Sequence, residues 1–319
     1  MKAAIYREPG APEVLHYEDI PDPEPGEGEL LVRVEAISVE GGDLLSRQHR
    51  PPEHQPPRPV GYAAAGEVIA TGKGVHGFQP GQKVATFAFD GSHAELRVAP
   101  AATCWAIPDG LDPEVAATIP CGPGTAALAL ELGKLQSGQT VLVTGAAGGV
   151  GLATVQLAHR AGARVLGTGS NLAVMERVRE FGLADIVTVG ARPISDQVRD
   201  LLPDGADLLI DCVGGTALTE GLAALKPGGS AILVGVIGGM GTRLDPLDLI
   251  LRRLTVVGCL LGPLMGEPKE HAMIADLLEM AARGALTVPI DASFPLSEAA
   301  AAHAHAETRG RLGRVIIRP

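Results

Sequence analysis

Cys121 is the first residue whose surroundings suggest chemistry. It lies in the stretch IPCGPGTAALAL, where a turn rich in proline and glycine leads into a predicted helix. A thiol there can be a metal ligand, a nucleophile or a packing group, and we expect packing, because a small thiol before a helix is usually buried. The other cysteines, Cys104, Cys212 and Cys259, form no CxxC pair. The sequence therefore predicts neither a disulfide framework nor a zinc knuckle, which fits a reducing cytoplasm.

A second candidate is the glycine-rich segment GAAGGVG at residues 145–151. It lies between an apolar strand, TVLVT, and a helical stretch, LATVQLAHRAG. Glycines at this junction let the backbone turn tightly and approach a pyrophosphate, while the helix N terminus presents unpaired N–H groups. The sequence therefore predicts a dinucleotide site whose phosphates contact Ala147, Gly148, Gly149 and Val150.

The second strand of this series indicates which dinucleotide binds. It ends in GTGSN, where an NAD site would place an acid for the ribose hydroxyls, and the first acid, Glu176, lies well into the next helix. Ser170 and Asn171 can instead donate to a 2′-phosphate, whose charge Arg309 or Arg177 can neutralise. NADP is therefore predicted in preference to NAD. For Arg177 alone, a solvated helix face is the favoured interpretation.

Six short apolar strands must position these residues. They read TVLVTG, ARVLGTG, DIVTV, DLLIDCVG, SAILVGVIG and LTVVGCLLG, with helical stretches between them. Strands and helices in this alternation predict an α/β fold with a doubly wound parallel sheet. The loops after the last three strands are predicted to line the ribose and nicotinamide, with the residues Val213, Gly235, Val236, Ile237, Leu260 and Leu261.

The first hundred residues have a different pattern. Short apolar runs such as LLVRVEAISV and AAAGEVIATG alternate with turns that contain proline or glycine, which is typical of an antiparallel β lobe. Within this lobe, residues 51–59 (PPEHQPPRP) hold too many prolines for a helix or a strand interior, so we expect a surface loop.

Charge and length limit the classes of partner. A chain of 319 residues favours two lobes, and its formal charge of −11 repels nucleic-acid phosphates and anionic lipids. The N-terminal segment has no apolar core after Lys2, so no secretory signal is predicted. We therefore expect a cytoplasmic protein with a small-molecule substrate and no nucleic-acid or membrane partner.

Several motifs along the chain resemble those of one family. They are MKAAIYREPG, PGQKVA, AAGGVGLATVQLA, DCVGG and GRLGRVIIRP. Together they resemble the quinone oxidoreductase (zeta-crystallin-like), zinc-free branch of the medium-chain dehydrogenase/reductase superfamily. The resemblance implies a Rossmann dinucleotide-binding domain over residues 121–262 and a GroES-like catalytic and substrate domain over residues 1–120 and 263–319. It also implies a homodimer, and it places Thr125 at the nicotinamide end of the cofactor.

The positions that hold zinc in other members of this superfamily carry different residues here. They fall at Glu40, at Tyr62 and Ala63, and at Cys121. Catalytic zinc needs three protein ligands, and only Cys121 is a good one. The resemblance therefore implies an enzyme without a metal.

Glu40 and Tyr62 are the candidate catalytic residues. Glu40 can be a proton relay, a hydroxyl-binding group or the structural partner of Arg47 or Arg58. The proton that the reduced acceptor needs can come from Tyr62, from Glu40 or from water, and the sequence leaves these alternatives open.

The function that the resemblance implies is an NADPH-dependent, zinc-independent oxidoreductase that reduces quinones or related activated carbonyl compounds by hydride transfer. Aromatic residues make up only 3% of the chain, so a stacking slot for a quinone would need Tyr62, Phe87, Phe89 or Trp105. An aliphatic pocket would suit an enoyl or 2-alkenal reductase, which is one alternative. An alternative of another class is a regulatory protein that binds NADPH without catalysis.

Overall fold

The computed structural model describes residues 1–49, 59–190 and 192–319. They form two compact units. Unit 1 comprises residues 1–124, 261–308 and 313–319, and unit 2 comprises residues 125–260 and 309–312. Most of the predicted proline-rich loop, residues 51–58, and with it Arg58, lies outside the described residues.

The strands, in chain order, are β1 (Lys2–Ile5), β2 (His16–Asp19), β3 (Glu29–Ser38), β4 (Ala63–Thr71), β5 (Lys83–Phe87), β6 (Leu96–Pro100), β7 (Cys104–Ala106), β8 (Thr140–Thr144), β9 (Arg164–Gly169), β10 (Asp185–Thr188), β11 (Ala206–Asp211), β12 (Leu225–Leu233), β13 (Thr255–Gly258), β14 (Ile290–Pro295) and β15 (Arg314–Arg318). The helices are α1 (Gly41–His49), α2 (Pro113–Thr118), α3 (Gly122–Leu132), α4 (Gly149–Arg160), α5 (Leu172–Val178), α6 (Ile194–Leu201), α7 (Gly215–Ala223), α8 (Pro246–Arg252), α9 (Pro268–Ala282) and α10 (Ala299–Glu307).

Unit 2 is built around a parallel sheet with the strand order β10-β9-β8-β11-β12-β13. From β8 the chain adds strands β9 and β10 on one side, and from β11 it adds β12 and β13 on the other. The direction of strand addition therefore reverses between β8 and β11, and sheets of this kind bind ligands at the carboxyl ends of the strands beside that reversal. Helices cover the sheet, and its strands are apolar because both faces are buried. The predicted doubly wound sheet is confirmed, with strands at all six predicted segments.

Unit 1 contains a sheet in which β14 and β15 are parallel and the other pairs are antiparallel. Its order is β14-β15-β3-β4-β5-β7, and β6 pairs with β3. Strand β3 is long and alternates buried with less buried residues, as expected for a strand between a core and a more open face. The predicted antiparallel lobe is confirmed, and the register of β3 and β15 sets Ser38 opposite Ile316.

A helix that spans a bilayer needs about 20 mainly apolar residues. Across the described residues, no helix combines the length and the apolar character that spanning a membrane would need.

Candidate functional site

The glycine-rich turn after β8 brings the start of α4 against the end of the strand. The N–H of Gly145 donates to Thr168 Oγ1 at 3.2 Å, and the N–H of Ala146 donates to the Thr168 carbonyl at 3.1 Å. Gly145 has a positive φ of 67°. A Cβ atom on Gly151 would lie 2.1 Å from the Gly145 oxygen, so only glycine fits this close approach.

The predicted phosphate-binding residues lie at the N terminus of α4, a helix of 12 residues. Gly148 is exposed, and Ala147, Gly149 and Val150 are half-buried. The first N–H groups of a helix have no partner within it, and the helix dipole favours an anion beside them. The turn therefore presents an accessible backbone surface that suits a pyrophosphate.

Asp211 organises the neighbouring strand end, and our sequence reasoning did not single it out. Thr144 Oγ1 donates to Asp211 Oδ1 at 2.5 Å, and the N–H of Gly214 donates to Asp211 Oδ2 at 2.9 Å. Burial raises the pKa of this carboxyl above its ordinary value, while the hydrogen bond from Thr144 opposes that change. The signal in the sequence was an acid at the end of an otherwise apolar strand.

The loops after β11 and β12 pack backbone against backbone. The N–H of Gly238 donates to the Val213 carbonyl at 2.7 Å, and a Cβ atom on Gly235 would lie 2.3 Å from the Cys212 oxygen. This contact brings Val213 beside the loop that carries Val236 and Ile237, which are 42% and 65% exposed. These predicted cofactor residues therefore form one accessible group at the carboxyl edge of the sheet.

The two leucines predicted after β13 differ in environment. Leu260 is 70% exposed, whereas Leu261 is 2% exposed and belongs to unit 1. The Leu261 side chain packs so closely on α3 that a Cβ atom on Gly124 would lie 2.8 Å from its Cδ2. The Leu261 side chain is therefore buried in the packing of unit 1, and its place in the cofactor site stays a prediction that only its backbone could meet.

Asn171 connects the predicted adenosine site to the C-terminal segment. It caps α5 by accepting from the Val174 N–H at 3.3 Å, and its Nδ2 donates to the Gly310 carbonyl at 3.4 Å. Ser170 and Arg309 are both exposed. The structure therefore brings the segment that carries Arg309 to the end of β9, as a shared site requires. Arg177 is exposed on α5.

Thr125 lies in α3 at the start of unit 2 and is half-buried. The Cys259 thiol, just after β13, donates to the Thr125 carbonyl at 3.9 Å. This contact places Thr125 beside the end of the last parallel strand, next to exposed Leu260.

Asp43 links both candidate catalytic residues in unit 1. Its Oδ2 accepts from the backbone N–H of Glu40 at 2.8 Å, and its Oδ1 accepts from the backbone N–H of Tyr62 at 3.0 Å. Burial raises the pKa of Asp43 to about 8, and the nearby Glu40 charge acts in the same direction, although the two N–H donors oppose it. Asp43 therefore holds the backbone at both positions.

Glu40 forms a structural ion pair, as one of the sequence alternatives expects, but with a partner that the sequence did not predict. Its Oε1 lies 2.5 Å from Nη2 of Arg314 and accepts from Ser38 Oγ at 2.8 Å. Both side chains are buried. The expected pairing of Glu40 with Arg47 is wrong, because Arg47 pairs instead with Glu307. The reason is topological, since β15 runs beside β3 and delivers Arg314 to the end of that strand.

Tyr62 belongs to a group of three rings, the aromatic cluster Tyr62, Phe87 and Phe89. The Tyr62 centroid lies 5.8 Å from each of the other two, these two are 5.2 Å apart, and all contacts are edge-to-face. The Tyr62 hydroxyl is 2.9 Å from Ser46 Oγ. Phe87 is buried and Phe89 is 56% exposed, so the cluster has one open side. Trp105 is buried elsewhere in the unit, stacked on His271.

Cys121 is half-buried immediately before α3. Burial raises the pKa of its thiol well above the ordinary value, and the charges of Glu40 and Asp43 add to this effect. The thiol is therefore protonated at neutral pH, which disfavours a nucleophile. Over residues 1–49, 59–190 and 192–319, no three or more His, Cys, Asp and Glu side chains are grouped to hold a metal ion.

Comparison with known proteins defines the class. Residues 26–109 match the alcohol dehydrogenase GroES-like domain family, and residues 149–282 match the zinc-binding dehydrogenase family. These are the two domains of a medium-chain dehydrogenase/reductase, and each falls mainly within one of the two units.

Relatives that match most of the chain show which branch of this superfamily it belongs to. A quinone oxidoreductase of Pseudomonas aeruginosa is 31% identical over 97% of each chain. Prostaglandin reductase-3 of Bos taurus is 33% identical over 86% of this chain and 74% of its own. Among solved structures, mycobacterial Rv1454c complexed with NADPH has a TM-score of 0.94 at 31% identity, with both chains fully covered. The chain belongs to the quinone oxidoreductase-like branch of the medium-chain dehydrogenase/reductase superfamily, and it is an oxidoreductase.

Proposed function

We propose that this protein is an NADPH-dependent, zinc-independent reductase that transfers hydride to quinones or related activated carbonyl compounds. The observation that carries the proposal is the accessible glycine turn at the N terminus of α4, where a side chain on Gly151 would collide with the backbone of Gly145. A turn this tight serves the close approach of a pyrophosphate. NADPH, when bound, supplies the hydride.

Unit 2 provides the residues that would hold the cofactor. Backbone groups of Ala147, Gly148, Gly149 and Val150 suit its pyrophosphate, and Val213, Gly235, Val236, Ile237, Leu260 and Thr125 would contact the ribose and nicotinamide. All of them lie at the carboxyl ends of the parallel strands or on α3, and the most exposed offer apolar side chains. An apolar lining would orient the nicotinamide and exclude water, which strengthens electrostatic effects on the reaction.

NADP is proposed over NAD because of the groups after β9. Ser170 and Asn171 replace the acid that an NAD site uses, and Asn171 binds the segment that carries the exposed Arg309. Arg309→Gln should raise the Kd of NADPH about tenfold, or about 1.4 kcal/mol, and leave that of NADH unchanged. Arg177→Gln is the matched control on α5 and should change neither. Equal effects on both cofactors would contradict the phosphate role.

Unit 1 would bind the acceptor and provide the proton. Tyr62 is the better candidate donor, because the Glu40 carboxylate is already engaged by Arg314 and Ser38. The Tyr62 ring meets the exposed Phe89 ring edge to face, and its hydroxyl shares a hydrogen bond with Ser46. We propose that it donates to the oxygen of the reduced acceptor, and that Glu40 fixes the adjacent strand end.

A homodimer is also proposed. Strand β13 is the edge of the six-stranded sheet, and α8, which directly precedes it in the chain, exposes Leu247, Ile250 and Leu251 at 61%, 69% and 72%. An open strand edge flanked by exposed apolar side chains is suited to pairing with a second copy. Ile250→Glu should convert the dimer into a monomer in light scattering, and a monomeric wild-type protein would refute the proposal.

The test of function compares acceptors and cofactors in one assay. We expect turnover of 1,4-naphthoquinone with NADPH, faster than with NADH. Turnover confined to crotonyl-CoA or 2-hexenal would favour the enoyl or 2-alkenal reductase, a substrate class suggested by the similarity to the acryloyl-coenzyme A reductase of Metallosphaera sedula, which is 28% identical over 70% of this chain and 73% of its own. Binding of NADPH without oxidation across the panel would favour a non-catalytic regulatory protein instead.

A further inference from the structure

Arg97, on β6, is a buried cation that belongs to none of the ion pairs described above. It is 1% exposed. Its Nη1 donates to Thr86 Oγ1 at 2.9 Å and the Thr86 carbonyl at 3.4 Å, and its Nη2 donates to carbonyl oxygens of Tyr62 at 2.6 Å, Asp90 at 3.1 Å and Ala88 at 3.2 Å. Burial lowers the pKa of this guanidinium to about 10, so it stays charged at neutral pH.

The acceptors of these hydrogen bonds frame the aromatic cluster. Tyr62 is itself one of the three rings. The carbonyls of Ala88 and Asp90 lie on either side of Phe89, and Thr86 directly precedes Phe87. Arg97 therefore fixes the backbone next to every ring of the cluster.

Phe89 depends most on this support. Strand β5 ends at Phe87, so Phe89 lies beyond the ladder that holds its neighbour. Its ring also packs closely on the segment after β13, because a Cβ atom on Gly262 would lie 2.8 Å from Phe89 Cζ. Edge-to-face contacts depend strongly on ring position. A shift of the Ala88 or Asp90 carbonyl would therefore also shift the exposed Phe89 ring.

The desolvation free energy of burying the Arg97 guanidinium indicates that this residue has a role other than stabilising the fold. A charge removed from water and hydrogen-bonded to neutral oxygens loses solvation, and the charges of Asp90 and Asp43 offset this loss only in part, since burial still lowers its pKa. Its Nε is also buried without a hydrogen-bond partner among the described residues. A hydrophobic side chain of similar length could fill this volume, but it could not hold the four carbonyls.

We propose that Arg97 is a positioning residue that sets the aromatic cluster as a binding face for a planar ring acceptor. The inference rests on the proposed function and specifies its substrate class. An exposed Phe89 ring that is held in one position can stack on a flat conjugated ligand, and it gains less from a flexible alkenal. Arg97 does not touch the acceptor; it acts through Tyr62 and Phe89.

The experiment compares Arg97→Met and Arg97→Lys with the wild type. Both variants should raise the KM for 1,4-naphthoquinone about five- to tenfold, with the KM for 2-hexenal changed less than about twofold. Arg47→Met is the matched control, because Arg47 is equally buried in unit 1 but binds Gly10, Glu307 and His303. Equal changes for both acceptors, or the same change in Arg47→Met, would overturn the proposal.

A binding measurement separates this inference from the proposed function. If the wild type reduces neither acceptor, the proposed function fails, and Arg97 is then judged by the Kd of 1-naphthol, a planar probe that needs no turnover. Weaker binding in the Arg97 variants supports the proposal, while unchanged binding, or none in the wild type, overturns it. Should the Arg97 variants not fold, Phe89→Leu decides, because this exposed position tolerates change and must show the same selective loss for the ring.

Discussion

The Glu40 carboxylate forms a buried ion pair with the guanidinium of Arg314, at 2.5 Å. The pair joins the end of β3 to the start of the last strand of the chain, and Arg314 reinforces it by donating to the Val39 carbonyl at 2.8 Å. The position that elsewhere in the superfamily holds a metal ligand is thereby tied into the sheet of unit 1.

Removing one charge of this pair should destabilise the protein. Glu40→Gln leaves the Arg314 cation buried without its partner, and we expect the free energy of unfolding in urea to fall by about 3 kcal/mol. Arg314→Met should cost a similar amount. The double variant should recover part of the loss, because no unpaired charge remains, and strictly additive losses would contradict this account.

The fold was predictable because its signals are local. Apolar runs such as TVLVTG, and the glycines after them, fix strands and turns by their own sequence, and all six parallel strands form where they were predicted. The same holds for the position of the glycine-rich turn before α4. The placement of Asn171 at the end of the second strand was also predictable, since it follows that strand directly.

The partners of the buried charges were not predictable in this way. Glu40 meets Arg314, and Arg47 meets Glu307, only because of the register in which β15 and α10 return to the first lobe. The role of Arg97 was not predictable because four of its five hydrogen-bond acceptors are backbone oxygens, which leave no trace in residue type. Long-range register, rather than composition, decides these contacts.

Asp43 should make stability fall as the pH rises from about 4 towards 8. Its pKa is raised from 3.8 to about 8, so between these values the folded state keeps a proton that the unfolded state has released. This group alone would lower the free energy of unfolding with a limiting slope of about 1.4 kcal/mol per pH unit at about pH 5 to 7, and the slope should fade as the pH passes about 8. Urea titrations at each pH measure the slope.

Asp43→Asn is the variant that tests this assignment. It should abolish the decline that Asp43 causes between about pH 4 and 8. It should also lower stability at all pH values, because the amide nitrogen is a donor and would face a backbone N–H of Glu40 or Tyr62. A variant that kept the wild-type slope would show that another group titrates.

His93 and His303 should make the protein sensitive to acid. Their Nε2 atoms are 3.0 Å apart and buried, so one must donate and the other accept, and both cannot be protonated. Burial and the nearby Arg97 lower the pKa of His93 to about 3, and burial lowers that of His303, with His93 and Arg47 adding to the effect.

The sign of this effect is opposite to that of Asp43. The unfolded state binds protons below about pH 6.5 that the folded state refuses, so stability should be lost as the pH falls from 6.5 towards 3. His303→Gln should reduce this loss. His305→Gln, on the same helix but partly exposed and paired with Asp291, is the control and should not.

The cysteines should react slowly in the native protein. Burial raises the pKa of Cys104 to about 12 and that of Cys259 to about 11, and it raises those of Cys121 and Cys212 as well. Thiols rather than thiolates are then present at pH 7. Iodoacetamide should therefore label the native protein much more slowly than the denatured protein, as followed by mass spectrometry.

The variant Cys121→Ser should keep turnover nearly intact. A loss of about 100-fold, or about 3 kcal/mol, would show that this thiol takes part in the reaction.

Gly151 should be the most sensitive glycine of the phosphate turn. In Gly151→Ala the new methyl group would meet the Gly145 carbonyl at 2.1 Å, so α4 must move away from β8. We expect a loss of about 1–3 kcal/mol in the free energy of unfolding, typical of overpacking, together with weaker NADPH binding by fluorescence titration. Gly258→Ala is the stability control in the same unit, because its Cβ would have no atom within 4 Å. If both variants were equally stable and Gly151→Ala bound NADPH like the wild type, the close approach of helix and turn would not matter for the cofactor.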